Sequence, residues 1–361
     1  MKTCKNHGSL EDSFFFVRKS GFCPHLCCEC ERESAKAARK RRWATPDGRQ
    51  IITKQNLNWR KQNKKPVIQK VILPPEVELF ASLRDGDVVT PLHENVQPTF
   101  DSLSTVELSN PLPQTQIGLN YLDNVFPYRF DARTTGLPSL REALADDTFL
   151  RKTVQYIASS GREPTRQLVL RNLQFACRAP SHFFPSAAAV VFRAFGAGRD
   201  VFDPFAGWGG RALGAVCAGV RSLVTTDLQP KSIVGCQRIA QDFASISPSK
   251  IEAICSDFKS YMSSTDRFFD LIFTSPPFFS TEDYGHKVVD TREWLDSVLV
   301  PFAKMSLKLL KPNGRVAIHA QNRKDMPMLS IVSAVFTSAG FSLENEWKYG
   351  KKPGQSVLVF K

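Results

Sequence analysis

Five short apolar runs constrain the fold of this chain more than any other feature. Beyond Pro185 they alternate with helix-favouring stretches, and they occupy residues 201–203, 222–227, 252–257, 269–275 and 314–320. Strand-like runs separated by helical stretches are typical of a mostly parallel sheet with helices on both faces. The sequence therefore predicts an α/β fold for this part of the chain. His319, in the fifth run, is interpreted as a satisfied core or cleft histidine rather than a catalytic base.

Two helices are predicted ahead of this sheet. Ser139 is a suitable cap for a helix that extends to about Ala158, and Thr165 for another that extends through Phe175. The preceding residues 91–135 are rich in Pro, Asn, Thr and Ser and support no firm assignment.

A glycine-rich turn follows the first apolar run. Residues 201–210 read VFDPFAGWGG and lead directly into a helical stretch. Glycines let a ligand approach the backbone, and the N-terminus of a helix favours a negative group. By itself this turn is a weak indication of a nucleotide site.

The ends of the next three runs strengthen that indication. The second run ends in Asp227, 24 residues after Asp203, where an acidic residue binds ribose hydroxyls in a doubly wound sheet. The third run ends in Asp257, and the fourth leads into the segment SPPF at residues 275–278. Parallel strands open at the same carboxyl edge, where such sheets bind ligands. A dinucleotide dehydrogenase would show G-x-G-x-x-G and no SPPF segment, so that alternative is disfavoured.

Together, the segments DPFAGWGG, TTD, CSD and TSPPF resemble the S-adenosylmethionine-dependent amino-methyltransferases of DNA. The catalytic motif of that family is Asp, Asn or Ser, then Pro-Pro, then Tyr, Phe or Trp. The resemblance covers about residues 165–361, and it implies a Rossmann-like methyltransferase sheet with S-adenosylmethionine as cofactor. It also implies that residues 180–186 close over the methionine end of the cofactor. Trp208 is expected to pack either on the cofactor or on the core.

The resemblance assigns cofactor contacts residue by residue. The residues that would surround the methionine moiety of the cofactor are Asp203, Phe205, Gly207 and Gly209. Asp227 would hold the ribose, and Asp257 the adenine.

It assigns catalytic roles in the same way. Phe278 would stack on a base flipped out of the duplex. The Ser275 hydroxyl and the Pro276 carbonyl would accept hydrogen bonds from the exocyclic amine, and Pro276 and Pro277 would fix the backbone. This step needs no metal. Serine at the first position favours cytosine N4 over adenine N6 as the methylated atom.

The first residues of the chain are strongly basic. The net charge is +13, and residues 1–70 hold 17 Lys and Arg against 6 Asp and Glu, whereas residues 71–361 hold 31 against 29. Six of these 17 basic residues lie in the helix-favouring run ERESAKAARKRRW at 31–43, which becomes strongly basic toward its end. An excess so localised is typical of a segment that binds a polyanion. A solvated basic tail without a specific partner is the alternative.

Cysteines cluster in the same segment. Cys4 and His7 form a C-x2-H pair, and Cys27 and Cys30 a C-x2-C pair, which suits a tetrahedral structural Zn²⁺. The arrangement resembles the treble-clef CxxH…CxxC zinc modules of bacteriophage DNA-processing proteins. Nearby residues leave the ligand register open: Cys23, His25 and Cys28. Too few histidines are present for a ββα-metal nuclease.

We divide the chain into four parts on this basis. They are a zinc-binding module with its basic helix at 1–45, a basic tether at 46–90, an accessory DNA-contacting region at 91–164 and the methyltransferase domain at 165–361. About 65 residues separate the cofactor and catalytic motifs, and about 80 follow, which leaves no room there for a target-recognition domain. Target recognition is therefore assigned to residues 1–160.

Location follows from composition. No run reaches the ~18 apolar residues of a membrane span, and the first residues lack a signal core. The four scattered cysteines are expected to be buried in a reducing cytoplasm. They are Cys177, Cys217, Cys236 and Cys255. We expect a cytoplasmic protein of a bacterium or a phage-infected cell, with no membrane partner.

The expected activity is methylation of an exocyclic amine in double-stranded DNA, marking or protecting a phage or bacterial genome as in restriction-modification. One alternative is an RNA base-amine methyltransferase. The other is a nucleic-acid-binding relative without catalytic activity. The oligomeric state and the recognition sequence do not follow from the sequence.

Overall fold

The computed structural model describes residues 2–4, 8–10, 15–18, 21–27, 79–80, 83, 95–134, 136–277, 291–323 and 326–361. The chain divides into two compact units, Met1–Ile72 and Leu73–Lys361. Each is described by itself.

The described residues of the first unit form two antiparallel strand pairs. Strand β1 (Lys2–Cys4) pairs with β2 (Gly8–Leu10), and β3 (Phe15–Arg18) pairs with β4 (Gly21–Cys27). The predicted ligands Cys4 and Cys27 are the last residues of β1 and β4.

The second unit is built on a seven-stranded sheet. Its strands are β5 (Asp200–Asp203), β6 (Ser222–Asp227), β7 (Lys250–Cys255), β8 (Phe269–Thr274), β9 (Leu310–Gln321), β10 (Leu343–Lys348) and β11 (Gln355–Phe360). Their order is β10-β11-β9-β8-β5-β6-β7. The pairs among β5 to β9 are parallel, and β11 is antiparallel to both of its neighbours. The five predicted strands are confirmed; β10 and β11 were not foreseen.

The described helices of this unit surround the sheet. They are α1 (Gln97–Ser104), α2 (Leu119–Val125), α3 (Leu140–Ala145), α4 (Asp147–Ser159), α5 (Arg166–Ala176), α6 (Pro185–Phe195), α7 (Gly210–Cys217), α8 (Pro230–Asp242), α9 (Phe258–Ser264), α10 (Thr291–Trp294), α11 (Val300–Leu309) and α12 (Met328–Ser338). A 3₁₀ helix spans Pro127–Asp131, and a π-helical turn, Leu295–Leu299, joins α10 to α11. Among the residues that the structure describes, no helix is long and apolar enough to cross a membrane.

Successive residues of the central strands face opposite layers of helices. In β8, Leu271 and Phe273 belong to one buried apolar cluster, while Ile272 belongs to another. Strands buried on both faces read as nearly continuous apolar runs, which is why they were visible in the sequence. The prediction of a Rossmann-like sheet covered on both faces is confirmed.

The helix predicted from Ser139 to Ala158 is wrong in one respect. It is two helices, because the Asp146 side chain accepts hydrogen bonds from the Thr148 and Phe149 amides at 2.8 and 3.3 Å and so caps a new helix, α4. Ser139 does cap α3, in a capping box with Glu142. Thr165 caps α5 as predicted.

Residues 95–131, for which the sequence supported no assignment, pack on the sheet. Leu103, Tyr121 and Phe126 are buried in the same apolar cluster as the inner residues of the strands. A separate cluster unites α3, α4 and α5 with Phe80 and Leu83. Helices α3, α4 and α5 therefore form an apolar core of their own within the second unit.

The scattered cysteines are buried with one exception. Cys177, Cys217 and Cys236 are buried, but Cys255 is exposed. The prediction that Cys255 is buried is wrong. Cys255 is the last residue of β7, the edge strand of the sheet, and the side chains of that strand are half-buried or exposed.

Candidate active site

Four strand ends meet at the carboxyl edge of the sheet. Strands β8, β5, β6 and β7 are consecutive neighbours and run parallel, so the segments that follow them lie side by side. The Ala206 amide donates to the Thr226 carbonyl at 2.8 Å, and the Ser256 amide donates to the Asp227 carbonyl at 3.1 Å. The predicted convergence of these motifs is confirmed.

The glycine-rich turn after β5 has two left-handed glycines. Gly207 has φ 57° and Gly209 has φ 71°, a conformation that favours glycine. A Cβ at Gly207 would meet nothing nearer than the Phe205 carbonyl oxygen at 3.8 Å, whereas a Cβ at Gly209 would lie 2.4 Å from the Phe126 ring. Gly207 therefore leaves its backbone approachable, and Gly209 allows the turn to pack against Phe126.

Asp227, at the end of β6, is hydrogen-bonded to this turn. Its carboxylate accepts the Gly207 amide at 2.9 Å and the Gln229 amide at 2.9 Å. A carboxylate has about four acceptor positions, so about two remain for hydroxyl donors such as those of a ribose. Burial raises the pKa of Asp227, and the two amide hydrogen bonds act in the opposite direction.

Asp203 is buried and held within the protein. It forms an ion pair with Arg211 at 2.8 Å, and its Oδ1 accepts the Thr274 hydroxyl at 2.7 Å and the Phe205 amide at 3.2 Å. These bonds join the turn after β5 to α7 and to the end of β8. They place the glycine-rich turn next to the strand that leads into Ser275.

The remaining two predicted cofactor residues border the site. Asp257 caps α9 by accepting the Lys259 and Ser260 amides at 3.0 and 3.2 Å. Partial burial opposes ionisation of Asp257, but hydrogen bonds from Ser260 and Lys259 outweigh it and hold its pKa below the usual value. Phe205 packs on Phe258 with ring centroids 5.0 Å apart.

The segment after β8 places the predicted catalytic residues at the same edge. Ser275 and Pro277 are half-buried and Pro276 is buried. The Trp294 indole nitrogen donates to the Pro277 carbonyl at 2.8 Å. Phe278 lies outside the described residues, so its predicted stacking role stays a prediction.

A histidine that the sequence analysis assigned to the core or cleft contacts this segment. The Nδ1 atom of His319 lies 3.0 Å from the Ser275 Oγ. The signal for this contact in the sequence was weak. In the structure, His319 follows Ile318, and Ile318 in β9 pairs with Thr274 in β8. Only the order of the strands reveals that these two residues are neighbours.

Residues 180–186 pack on the glycine-rich turn. The two ring nitrogens of His182 lie 2.7 Å from the Asp123 Oδ1 and 3.2 Å from the Trp208 carbonyl oxygen. Trp208 itself packs on Tyr128, with ring centroids 5.4 Å apart. The turn is therefore braced by residues that precede the sheet in the chain.

The predicted zinc site is only partly within the described part of the chain. His7 and Cys30 lie outside it, and only the backbones of Cys4 and Cys27 are described. Among the described residues no group of His, Cys, Asp and Glu is placed to hold a metal ion. The zinc site stays a prediction.

The fold and the motifs at its strand ends resemble those of the S-adenosylmethionine-dependent methyltransferases. The residues present fit that cofactor: Gly207 is open to approach from one side, and Asp227 retains acceptor capacity. A family model described as "Conserved hypothetical protein 95" matches residues 183–332, which include the glycine-rich turn, Asp227 and the SPPF segment. No curated protein matches the chain.

Solved structures that match part of this chain include several methyltransferases. TrmN from Thermus thermophilus is 23% identical, with a TM-score of 0.36, over 49% of this chain and 48% of that chain. A methyltransferase from Pyrococcus furiosus is 13% identical, with a TM-score of 0.38, over 58% and 96%. A SAM-dependent methyltransferase from Agrobacterium tumefaciens is 16% identical, with a TM-score of 0.36, over 49% and 59%. This chain spans about half the length of TrmN, and these scores are too low to indicate a substrate.

Proposed function

We propose that this protein is an S-adenosylmethionine-dependent methyltransferase that modifies an exocyclic amino group of a DNA base, with cytosine N4 favoured over adenine N6. The main support is the placement of Ser275 and Pro276 at the end of β8, next to the glycine-rich turn and Asp227. A methyl acceptor held by Ser275 is thereby close to a cofactor held by the turn.

The residues of the site have separate tasks in this proposal. When bound, S-adenosylmethionine supplies an electrophilic methyl group on its sulfonium. Asp227 holds the ribose hydroxyls, and Gly207 lets the cofactor lie against the backbone. Ser275 Oγ and the Pro276 carbonyl accept hydrogen bonds from the amine, which directs the nitrogen lone pair away from the ring. Phe278 stacks on the flipped base.

Two features of the chain support a nucleic acid as substrate. The first is the excess of Lys and Arg in residues 1–70. The second is the exposed face of α5, where Gln167, Arg171 and Phe175 follow one another at intervals of four residues and are therefore neighbours on the helix surface. Phe175 is 74% exposed. An exposed aromatic ring beside a basic side chain is typical of a nucleic-acid contact.

A structural Zn²⁺ at Cys4, His7, Cys27 and Cys30 is part of the same proposal. A segment of this size with few apolar residues gains its folding energy from metal binding. Metal analysis of the purified protein tests it: we expect about one zinc per chain, absent from a Cys4→Ser, Cys27→Ser double variant. A full zinc content in that variant contradicts the ligand set.

The proposal is tested with methyl-labelled S-adenosylmethionine and unmodified DNA, followed by digestion to nucleosides and chromatography. We expect label in N4-methylcytosine. Ser275→Ala and Phe278→Ala are expected to lower labelling to a residual rate that only single-turnover assays at high enzyme concentration detect, while calorimetry shows unchanged cofactor affinity. Ser264→Ala, at the exposed end of α9, is the matched control and should label DNA normally.

Other outcomes are equally informative. Label in N6-methyladenine confirms the class and corrects the base. Label in RNA in preference to DNA overturns the choice of polymer. Cofactor binding without label in either polymer identifies a catalytically inactive relative. Full activity of Ser275→Ala overturns the assignment of the catalytic residues.

A further inference from the structure

His319 and Ser275 are in contact across two neighbouring strands. His319 lies in β9, beside the strand that leads into Ser275, and its Nδ1 is 3.0 Å from Ser275 Oγ. The proposed function gives Ser275 the task of accepting a hydrogen bond from the target amine. A residue that fixes the position of Ser275 Oγ therefore affects how well the serine accepts that hydrogen bond.

The contact on the other side of the imidazole favours one tautomer. The Gln355 side-chain nitrogen lies 3.2 Å from His319 Nε2 and 3.4 Å from the Gln321 Oε1. An amide nitrogen donates and does not accept, so Nε2 is the acceptor. The single proton of a neutral ring is then on Nδ1, and Nδ1–H donates to Ser275 Oγ.

The ring is also confined by packing. It meets Phe183 edge to face, with centroids 5.2 Å apart, and lies 4.4 Å from the ring of Tyr349. His319 is 6% exposed. Burial, with a smaller contribution from the positive charge of Arg211, lowers the pKa of His319 to about 3. The ring is therefore neutral at physiological pH and is a poor acceptor for the proton that the amine loses.

We propose that His319 is a positioning residue for Ser275: its Nδ1–H, held in that tautomer by Gln355, fixes the serine hydroxyl so that a lone pair of Oγ faces the target amine. The inference rests on the proposed function of Ser275. A hydroxyl oxygen has two acceptor lone pairs, so the bond from His319 leaves one for the amine. Without that bond, Oγ is free to turn to another rotamer.

Double-mutant kinetics test the inference. We expect His319→Leu to lower kcat by about 100-fold, the cost of misplacing a reacting group by about 1 Å, with little change in KM or in cofactor affinity. In the Ser275→Ala background the same change is expected to have no further effect, because the hydroxyl that it positions is gone. If His319→Leu lowers kcat by the same factor in the wild type and in Ser275→Ala, the inference is overturned.

A conservative variant separates positioning from packing. The side-chain amide nitrogen of asparagine lies where Nδ1 of histidine does, so His319→Asn is expected to recover kcat to within about tenfold of the wild type. Activity as low as that of His319→Leu overturns the inference. Arg315→Gln, on the same strand but in a surface ion pair with Glu344, is the control and should change neither constant.

A measurement on the wild-type protein without substrate gives an independent readout. Nitrogen-15 NMR of the histidine rings is expected to show His319 as a neutral Nδ1–H tautomer, shifted toward Nε2–H in Gln355→Glu. A wild-type Nε2–H tautomer overturns the inference. If Ser275→Ala retains activity, the proposed function fails; if Ser275→Ala is inactive and only the His319 results disagree, the positioning role alone fails.

Discussion

The indole nitrogen of Trp294 donates a hydrogen bond of 2.8 Å to the carbonyl of Pro277, and Trp294 is 1% exposed. Proline has no amide hydrogen, so the Ser275-Pro276-Pro277 backbone cannot hold itself with a regular hydrogen-bond ladder. The contact from Trp294 supplies a fixed point immediately after the two residues that we expect to touch the amine.

We therefore expect Trp294→Phe to lower kcat by roughly tenfold, because removing the hydrogen bond to a partly buried carbonyl costs about 1–3 kcal/mol. Cofactor affinity should not change, since this hydrogen bond holds the segment after β8 and not the glycine-rich turn. Trp347→Phe, on the edge strand β10, is the matched control. Steady-state kinetics and calorimetry on both variants check this, and an unchanged kcat for Trp294→Phe contradicts it.

Cofactor affinity is expected to depend on pH through Asp227. Burial raises its pKa, so its carboxylate gains a proton at a higher pH than an ordinary aspartate does. Protonation removes acceptor capacity, so affinity falls as the pH is lowered through this raised pKa. Calorimetry across the acidic range is the measurement. Asp227→Asn is expected to bind weakly at every pH, and a wild-type affinity that stays constant down to pH about 4, the ordinary aspartate value, is the contrary result.

Substitution of Gly209 is expected to cost more stability than substitution of a comparable glycine elsewhere. Gly209 and Gly219 both have left-handed φ angles, 71° and 68°, so alanine is strained at both by about 1–2 kcal/mol. A Cβ at Gly209 would also meet Phe126 at 2.4 Å, whereas nothing lies within 4 Å at Gly219. Gly209→Ala should cost about 1–3 kcal/mol more in chemical denaturation. Equal losses of stability for the Gly209 and Gly219 variants would show that the Phe126 ring can move aside at no energetic cost.

Phe175 is expected to contact nucleic acid. Phe175→Ala should weaken DNA binding by roughly fivefold or more, since stacking on a base contributes about 1–3 kcal/mol. Phe268 is a matched control, because it is 55% exposed but precedes β8 at the opposite edge of the sheet from the site. Fluorescence anisotropy with labelled DNA distinguishes them. Similar DNA affinities for Phe175→Ala and Phe268→Ala would contradict the prediction that the exposed face of α5 contacts nucleic acid.

The basic run at residues 39–42 is expected to contribute by neutralising phosphates. Replacing Arg39, Lys40, Arg41 and Arg42 by glutamine should weaken binding to all DNA sequences alike and reduce the salt slope by about 0.9 for each phosphate that the variant no longer neutralises. Binding measured at several salt concentrations gives that slope. An unaltered slope leaves this run without a role in binding.

Much of the site was predictable because its signals are local. The turn containing Gly207 and the acidic end of β6 at Asp227 are short segments whose spacing follows from one strand–helix repeat. The split of the helix at Asp146 was missed because a capping side chain competes with helix continuation within one turn. Strand β10 was missed because it is largely exposed and lacks an apolar pattern. Strand β11 was missed although its buried apolar run is visible in the sequence.

The sequence by itself determined the α/β fold, the order of its strand-end motifs and the candidate cofactor and catalytic residues. Only the tertiary structure decided which side chains support them: His319 contacts Ser275 from 44 residues away, and Asp203 accepts a hydrogen bond from Thr274, 71 residues away. Such contacts depend on which strands are neighbours in the sheet. Strand order results from the packing of the whole core, and periodicity along one segment contains no information about it.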